Sequence, residues 1–481
     1  MKNILTRVLA MLLLLGMVAC LFACKNEEPA PQETLETADS DEIKLPFKKE
    51  NYQKELTMLY YTSTLYRDYH FEDVTEAGDV MKQSLTDRRL MVEDYLGVYV
   101  VGKAESSSEI SVFNAVQRDA LAGIDQYQVA LTHCYLGVTG LVTSNLIRDL
   151  YELPDISFNE DYWRMDAIEA LEVAGCAYFG SSDFLISDVV AILYNKEMYT
   201  DYEITEDPYD LVRDGKWTME KLMQFSSLVA ENNGDDAWTK EDTYGFAARA
   251  DYEFLSFIDA CDVEWLTGSA NKTLNMGPNN ERYQAVYDKI EELADADWSY
   301  LYNFGDNENK VTISDGRFLF SMEPLRHARN HLDSEVKFGV LPVPKFNEEQ
   351  DDYKSCDFGG MFCVPNAAKD IEMIGKTLEC LSAYSADTVN VAYYERLLGR
   401  RVAEAADDAE MLDTYIFGKI TFNPAYNYSE KANMPLGILV YTIPKMLRAK
   451  LNNTQIDTIA VTWAANKIAA QNIIDITINK K

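Results

Sequence analysis

The sequence predicts an α/β protein, and two observations support this. Three β-favouring runs, at 56–61, 98–101 and 128–131, alternate with helical patterns, which is the order of a parallel sheet covered by helices. The chain has 481 residues, 47% of them hydrophobic, so it is long enough for more than one domain and most of its length can bury a core. We therefore expect two or three domains.

The two helices of the first domain are predicted from apolar residues that recur at helical spacing. The first pattern places four residues on one face: Met81, Leu85, Val92 and Leu96. The second does the same with Ile110, Phe113, Gln117 and Leu121. Ligands of such sheets bind beyond the carboxyl ends of the strands, which indicates the loops 61–64 and 132–135, although simple turns would explain the same residues.

A second core begins after the small and polar segment 178–183, which we interpret as a crossing between domains. An apolar run at 189–194 follows, and Thr218 is placed to cap a helix. Further strands are predicted at 317–321 and 337–341, and the pattern from Ile371 onward is mainly helical.

The charge excludes one class of partner. With 44 basic and 79 acidic residues the net charge is −35, so the surface repels phosphate backbones and nucleic acid is not expected to bind. With so many carboxylates some lie close together by chance, and an acidic pair is no evidence of catalysis.

The amino terminus predicts export. Lys2 and Arg7 precede the uncharged run 8–23, which is shorter than the ~20 residues of a spanning helix. Residues 21–24 resemble a lipobox, which makes 1–23 a signal peptide and Cys24 the lipidated residue. Cys20 is a second candidate, and an ordinary signal or an uncleaved anchor are alternatives. Residues 24–50 are expected to be a flexible acidic tether, which places the protein outside the cytoplasm, lipid-anchored to the outer face of the cell membrane.

Six further cysteines show no C-x-x-C spacing and have apolar neighbours, so buried thiols are expected. A Cys356–Cys363 bridge remains an alternative.

Several motifs resemble those of extracellular solute-binding proteins of ATP-binding-cassette (ABC) importers, in the group assigned mostly to carbohydrates. The clearest are GKWTME at 215–220 and DTYGF at 242–246. Other matches follow in family order at 151–154, 162–163, 193–196, 315–321, 338–345, 358–360 and 364–365. The resemblance covers the chain from about Leu56 to the last helices.

The resemblance implies a periplasmic-binding-protein-like fold of type II, with two α/β lobes and a ligand cleft between them. Lobe 1 would comprise 51–180 and 361–418, and lobe 2 would comprise 181–360 and 419–481. The chain would cross near 178–183, 358–360 and 417–423. The implied function is a monomeric lipid-anchored receptor that captures a mono- or oligosaccharide and delivers it to the permease subunits of an ABC transporter. It needs no cofactor and performs no chemistry on the ligand.

A sugar offers apolar C–H faces and a rim of hydroxyls, so its site needs aromatic rings and hydrogen-bonding side chains. The candidates lie where pockets of the family are lined: Tyr61, Ser63, Asp79, Tyr135, Trp163, Asp183, Glu323, Phe358, Tyr426 and Tyr428. Capping would explain Asp79 and Asp183, and a solvated loop would explain Glu323. The segments 322–324 and 433–436 depart from the family pattern, which leaves the ligand class open.

Motifs of enzymes are mostly missing. There is no G-x-S-x-G and no P-loop lysine motif, and His327 and His331 have i,i+4 spacing without the Glu of H-E-x-x-H. A metal on this histidine pair is the less favoured alternative to a surface face, and we predict no metal site. Two other functions stay open, a secreted glycoside hydrolase and a sensory or adhesive lipoprotein with the same fold.

Overall fold

The computed structural model describes residues 43–62, 79–235, 237–263, 266–268, 274–276, 281–331, 334–398, 406–431 and 433–477. The predicted signal peptide, Cys20, Cys24, most of the tether and Ser63 lie outside these residues, as does the side chain of Asp79.

The first sheet has four strands: β1 (Lys54–Tyr60), β2 (Val98–Ala104), β3 (Val129–Thr132) and β13 (Met361–Cys363). Their order is β13-β3-β1-β2, and β1 runs parallel to both β2 and β3. The predicted β-α-β-α-β order is therefore confirmed. Strand β2 continues past the predicted Val101 because its pairing with β1 extends to Tyr60 and Ala104, although the last side chains are not buried.

One of the two predicted helix faces is correct. Helix α1 (Asp79–Leu96) buries Met81, Leu85, Val92 and Leu96 as expected. The face predicted for helix α2 (Ser111–Ala122) is wrong, since Leu121 is 84% exposed and the helix buries Ser111, Val112, Ala115, Val116 and Asp119. The small residues of this face allow close packing, which a search for large apolar side chains overlooks.

The second sheet is mixed. It has the order β11-β4-β10-β6-β5, with β9 paired to β6. Its strands are β4 (Val190–Asn195), β5 (Ala230–Glu231), β6 (Thr243–Arg249), β9 (Ser299–Tyr302), β10 (Phe318–Pro324) and β11 (Phe338–Leu341). Strand β10 is parallel to β6 and antiparallel to β4, and β4 and β10 are buried throughout. The three predicted runs are strands, whereas β6 was not predicted.

The three segments predicted to cross between domains lie side by side. Gly180 forms a bridge with Phe362, and Val189 forms one with Asp357. The short strands β12 (Ser355–Cys356) and β14 (Ile420–Thr421) pair in parallel. Backbone hydrogen bonds thus join all three segments.

Two short strands, β7 (Leu266–Gly268) and β8 (Leu274–Met276), form a separate ribbon. The α-helices after α2 are α3 (Val138–Thr143), α4 (Met165–Ala170), α5 (Lys196–Asp201), α6 (Pro208–Arg213), α7 (Met219–Ser226), α8 (Ser256–Ala260), α9 (Glu281–Asp295), α10 (Ile371–Asp387), α11 (Val389–Leu398), α12 (Ala406–Glu410), α13 (Pro424–Asn427), α14 (Pro435–Val440), α15 (Thr442–Leu451) and α16 (Ile459–Thr477). Segments of 3₁₀ helix occupy Leu150–Glu152, Tyr252–Leu255, Ile313–Asp315, Leu325–His331 and Phe417–Lys419, and Met411–Ile416 is a π-helix.

Local sequence explains several of these boundaries. The Thr218 hydroxyl accepts a hydrogen bond from the Lys221 amide and caps α7 as predicted. Beside it, Trp217 is fully buried and its indole donates to the Pro342 carbonyl at 2.9 Å, which ties the helix to the end of β11.

The six cysteines among the described residues are all free thiols, five of them buried, so the alternative Cys356–Cys363 bridge is absent. None of the helices described is both long and apolar enough to cross a bilayer.

Candidate functional site

The carboxyl ends of parallel strands from both sheets lead into one region. In the first sheet β1 ends at Tyr60 and β3 at Thr132, and Tyr61 and Tyr135 follow within a few residues. In the second sheet β6 leads to Tyr252. Side chains beyond strand ends are where open α/β sheets bind ligands.

These side chains form a continuous line of rings, which we call the aromatic row: Tyr61, His133, Tyr135, Tyr426, Phe358 and Tyr252. Successive ring centroids lie 5.7, 4.6, 5.2, 5.3 and 5.1 Å apart. These are separations of favourable aromatic pairs. The row therefore joins the loops of the first sheet to the 3₁₀ turn after β6.

A seventh ring packs beside the middle of the row. The centroid of Tyr441, at the junction of α14 and α15, lies 6.2 Å from those of both Tyr135 and Tyr426. Burial raises the pKa of Tyr135 to about 12 and that of Tyr426 well above its ordinary range. Both phenols stay protonated at neutral pH and can donate hydrogen bonds.

The histidine of the row is held in its neutral form. Burial lowers the pKa of His133 to about 4, and its Nδ1 accepts from the backbone amides of Tyr135 and Leu136, both at 3.3 Å. An accepting Nδ1 places the proton on Nε2. His133 thus fixes the loop that carries Tyr135.

Helix α13 is fastened to the same loop. The Asn427 amide donates to the Cys134 carbonyl at 2.8 Å, and the Cys134 thiol lies 3.3 Å from the Tyr426 hydroxyl. Asn423 caps the helix by accepting from the amides of Ala425 and Tyr426. The segment predicted to be the third crossing therefore leads to Tyr426, which contacts the loop after β3.

A cavity of about 10 Å³ lies beside Phe358 and Tyr426, which is room for roughly one water molecule. Its lining residues are Leu255, Ile258, Asp259, Cys356, Phe358, Asn423, Tyr426 and Val440. Asp259 is half-buried and accepts from the Asn423 amide at 2.9 Å. Burial raises the pKa of its carboxyl to about 6.

Three arginines near Tyr252 each have a carboxylate partner. Arg249 pairs with Glu253, Arg326 with Asp188, and Arg448 with Asp251. Burial raises the pKa of Glu253 to about 7 despite its arginine neighbour. Each of these three arginines at this end of the second sheet is therefore paired with a carboxylate.

Four of the ten predicted site residues lie in the aromatic row: Tyr61, Tyr135, Phe358 and Tyr426. Among the remaining residues the structure places four elsewhere, in contacts with other protein groups. These are Trp163, Asp183, Glu323 and Tyr428.

Asp183 is the last residue of the first predicted crossing segment, and Trp163 forms a backbone bridge with Ser182 in the same segment. Trp163 is buried, and its indole donates to the Glu379 carboxylate at 3.0 Å. Asp183 lies 3.5 Å from the Arg164 guanidinium, and burial raises its pKa to about 6. These contacts account for both side chains by interactions within the fold and without a ligand.

Glu323 lies inside β10 rather than after it, which corrects the expected end of that strand. The buried carboxylate accepts from the Ser321 hydroxyl at 2.6 Å, the Ile313 amide at 3.0 Å and His331 Nε2 at 2.9 Å. Burial alone would raise the pKa of Glu323, but His331 and these donors hold it below its ordinary value. Tyr428 is likewise buried, and its hydroxyl donates to the Leu171 carbonyl at 2.7 Å.

Sequence reasoning missed Tyr252, Arg326 and Tyr441. Tyr252 and Arg326 follow β6 and β10, so the rule that indicated Tyr61 and Tyr135 would have indicated them as well. For Tyr252 the missing step was β6, where Gly245, Ala247 and Ala248 interrupt the β-favouring residues.

The two histidines of the i,i+4 pair have different surroundings. His331 contacts Glu323 and the Ser314 hydroxyl, and burial lowers the pKa of His327 to about 3. Across the described residues there is no group of three His, Cys, Asp or Glu side chains that could hold a metal ion.

The fold is similar to that of solved solute-binding proteins. An ABC substrate-binding protein of Listeria monocytogenes in complex with cycloalternan has 12% identity, covers 89% of this chain and all of its own, and gives a TM-score of 0.54. The GacH receptor of Streptomyces glaucescens, solved with and without acarbose, has 12% identity, 88% and 98% coverage, and a TM-score of 0.55. A cyclo/maltodextrin-binding protein complexed with maltotetraose has 13% identity, 88% and 96% coverage, and a TM-score of 0.56.

These similarities establish the periplasmic-binding-protein-like α/β fold, which confirms the predicted fold class. At such low identity they show the fold alone. No model of a protein family matches the sequence, and no curated protein matches it either.

Proposed function

We propose that the protein is an extracytoplasmic receptor that captures a carbohydrate between its two lobes and hands it unmodified to an ABC permease. The observation that carries this proposal is the aromatic row, in which rings beyond strand ends of both sheets meet. Flat rings that pack against C–H faces, with phenol hydroxyls at their rims, are what a sugar requires. The similarity in fold to receptors whose structures were solved with bound sugars also supports this function.

The mechanism follows from the position of the row. A ligand that contacts rings on both sides makes its full set of contacts only in the closed state, so its binding energy favours closure. The three adjacent crossing segments are short, and a few residues in them could absorb the backbone rotation of such a motion. The lobe boundaries would be those expected from the sequence, at 180/181, 360/361 and 418/419.

Delivery of the sugar to the permease would take place at the membrane surface. We propose that Cys24 carries the lipid and that the acidic segment after it acts as a spacer. One acyl chain binds membranes only marginally, so a durable anchor needs a second chain.

Ligand-dependent stabilisation of the purified full-length chain tests the proposal. The ligands would be maltose, maltotetraose, galactose, xylooligosaccharides, single amino acids and short peptides. A carbohydrate at 100 times its dissociation constant should stabilise the fold by about 2.7 kcal/mol. Stabilisation by an amino acid or peptide and by no carbohydrate would contradict it.

The same samples separate the receptor from a hydrolase. A receptor leaves the oligosaccharides intact, whereas a glycoside hydrolase releases new reducing ends. Release that depends on the purified chain would overturn the receptor proposal.

A further inference from the structure

A buried carboxylate oxygen without a partner lies next to the aromatic row. Asp188 is 5% exposed, and among the described residues no hydrogen-bond donor reaches its Oδ1. Buried polar atoms in native proteins nearly always have a partner, so such an atom at a candidate site indicates a group that arrives from outside the chain.

Three contacts place Asp188 at the row. Its backbone carbonyl accepts from the Phe358 amide at 3.0 Å, so the two residues are neighbours through their backbones. Its Oδ2 pairs with the Arg326 guanidinium, and Arg326 in turn donates to the Tyr252 hydroxyl at 3.2 Å. Asp188 and Arg326 thus stand beside the two rings at one end of the row, with the Arg326 side chain 22% exposed.

The pairing decides what Arg326 can bind. A guanidinium that is free attracts carboxylates and phosphates strongly, but one that already holds a carboxylate has its charge largely compensated. A neutral acceptor such as a hydroxyl oxygen can still share an N–H group of such a guanidinium. The adjacent Asp188 Oδ1 can accept a hydrogen bond from a hydroxyl and would repel an anion.

The charged residues around Asp188 and Arg326 also favour a neutral ligand over an anionic one. Arg249 and Arg448 also have carboxylate partners, and Asp259 adds a carboxyl at the cavity beyond Phe358. An anionic ligand would therefore meet compensated cations and further carboxylates.

We propose that the Asp188–Arg326 pair selects neutral, hydroxyl-rich sugars and rejects their acidic counterparts such as uronates. Asp188 Oδ1 accepts from one ligand hydroxyl while Arg326 donates to a neighbouring oxygen. The inference rests on the proposed receptor function and narrows its ligand class. Specificity of this kind is a difference between two binding free energies, so it is tested by the ratio of the two dissociation constants.

The test compares neutral and acidic sugars of the same skeleton on the full-length chain. The probes are glucose with glucuronate, galactose with galacturonate, and α-1,4-linked galactotriose with trigalacturonate, measured by calorimetry. The wild type should bind a neutral sugar at least tenfold more tightly than its uronate. Asp188→Asn leaves the guanidinium without its counter-charge, so the affinity for the uronate should rise and that for the neutral sugar should fall, which shifts the ratio by about tenfold or more.

Two further variants keep the result interpretable. Arg326→Gln retains Asp188 and removes the guanidinium, so it should weaken neutral binding with no gain for the uronate. Asp295→Asn removes the same charge from an exposed pair with Lys450 and should leave the ratio unchanged. Thermal unfolding of each variant shows that it is folded.

The outcomes separate the two proposals. The proposed selectivity is overturned if the wild type binds neutral and acidic sugars equally well. It is also overturned if Asp188→Asn does not change the ratio of the two affinities. Neither result contradicts the proposed receptor function. Failure of the wild type to bind any of these sugars, together with no stabilisation by any carbohydrate of the screen described above, overturns both.

Discussion

Tyr135 and Tyr426 place their ring centroids 5.2 Å apart, although one follows a strand of the first sheet and the other lies after the third crossing segment. Their contact is the centre of the aromatic row. It makes the candidate site a product of tertiary structure, because neither residue is near the other in the chain.

We expect Tyr135→Ala to weaken carbohydrate binding by about tenfold, because it removes one aromatic face from the middle of the row. Calorimetry with the best carbohydrate of the screen measures the effect. Tyr99→Ala is the matched control, since Tyr99 is a 46% exposed tyrosine on β2. Equal affinity of the Tyr135 variant and the wild type would remove this residue from the site.

Trp163→Phe should lower the free energy of unfolding by about 1–3 kcal/mol, because the buried Glu379 carboxylate loses an indole donor. Carbohydrate affinity should stay unchanged, since the structure gives Trp163 an interior role. Urea unfolding measures the first effect and calorimetry the second. Trp238→Phe, at a 50% exposed tryptophan, serves as the control and should leave stability unaltered. A loss of affinity without a loss of stability would return Trp163 to the ligand site.

Asp259 should make the protein less stable as pH rises from about 4 to about 6. Burial raises the pKa of its carboxyl from 3.8 to about 6, so within this window the folded state binds more protons than the unfolded state. Asp259→Asn removes the titration and should gain stability relative to the wild type as pH increases across the window. Urea unfolding at pH 4, 5, 6 and 7 checks this. Parallel stability curves for the two proteins would show that the pKa of Asp259 is not raised.

Cys24→Ser should abolish membrane association, because it removes the proposed site of lipid attachment. Detergent phase partitioning of cells that express the full-length chain measures the fraction bound. Cys20→Ser is the control and should leave that fraction unchanged. The reverse pattern would assign the lipid to Cys20.

The first sheet could be predicted because each of its parallel strands is an apolar run between clear helical patterns. The helix cap at Thr218 depends only on neighbouring residues, so it too was predictable. The buried face of α2 was not, since it consists of small residues whose burial depends on what packs against them. Val112 and Ala115 are buried there, whereas Leu121 faces the solvent.

Only part of the candidate site could be predicted from the sequence, because the prediction depends on recognising the strands that lead to it. Tyr61 and Tyr135 follow from the rule on strand ends, but Tyr252 follows a strand in which Gly245, Ala247 and Ala248 interrupt the β-favouring residues. The orphaned oxygen of Asp188 has no sequence signal, because it results from the position of Arg326 and the burial around both residues.

Strand β13 completes the first sheet by pairing with β3, yet it comes after every strand of the second sheet. A ribosome releases the amino end first, so this sheet lacks its outer strand until Cys363 has emerged. Helix α10, which packs on α1, emerges later still. The first sheet can therefore be completed only after every strand of the second sheet has been synthesised.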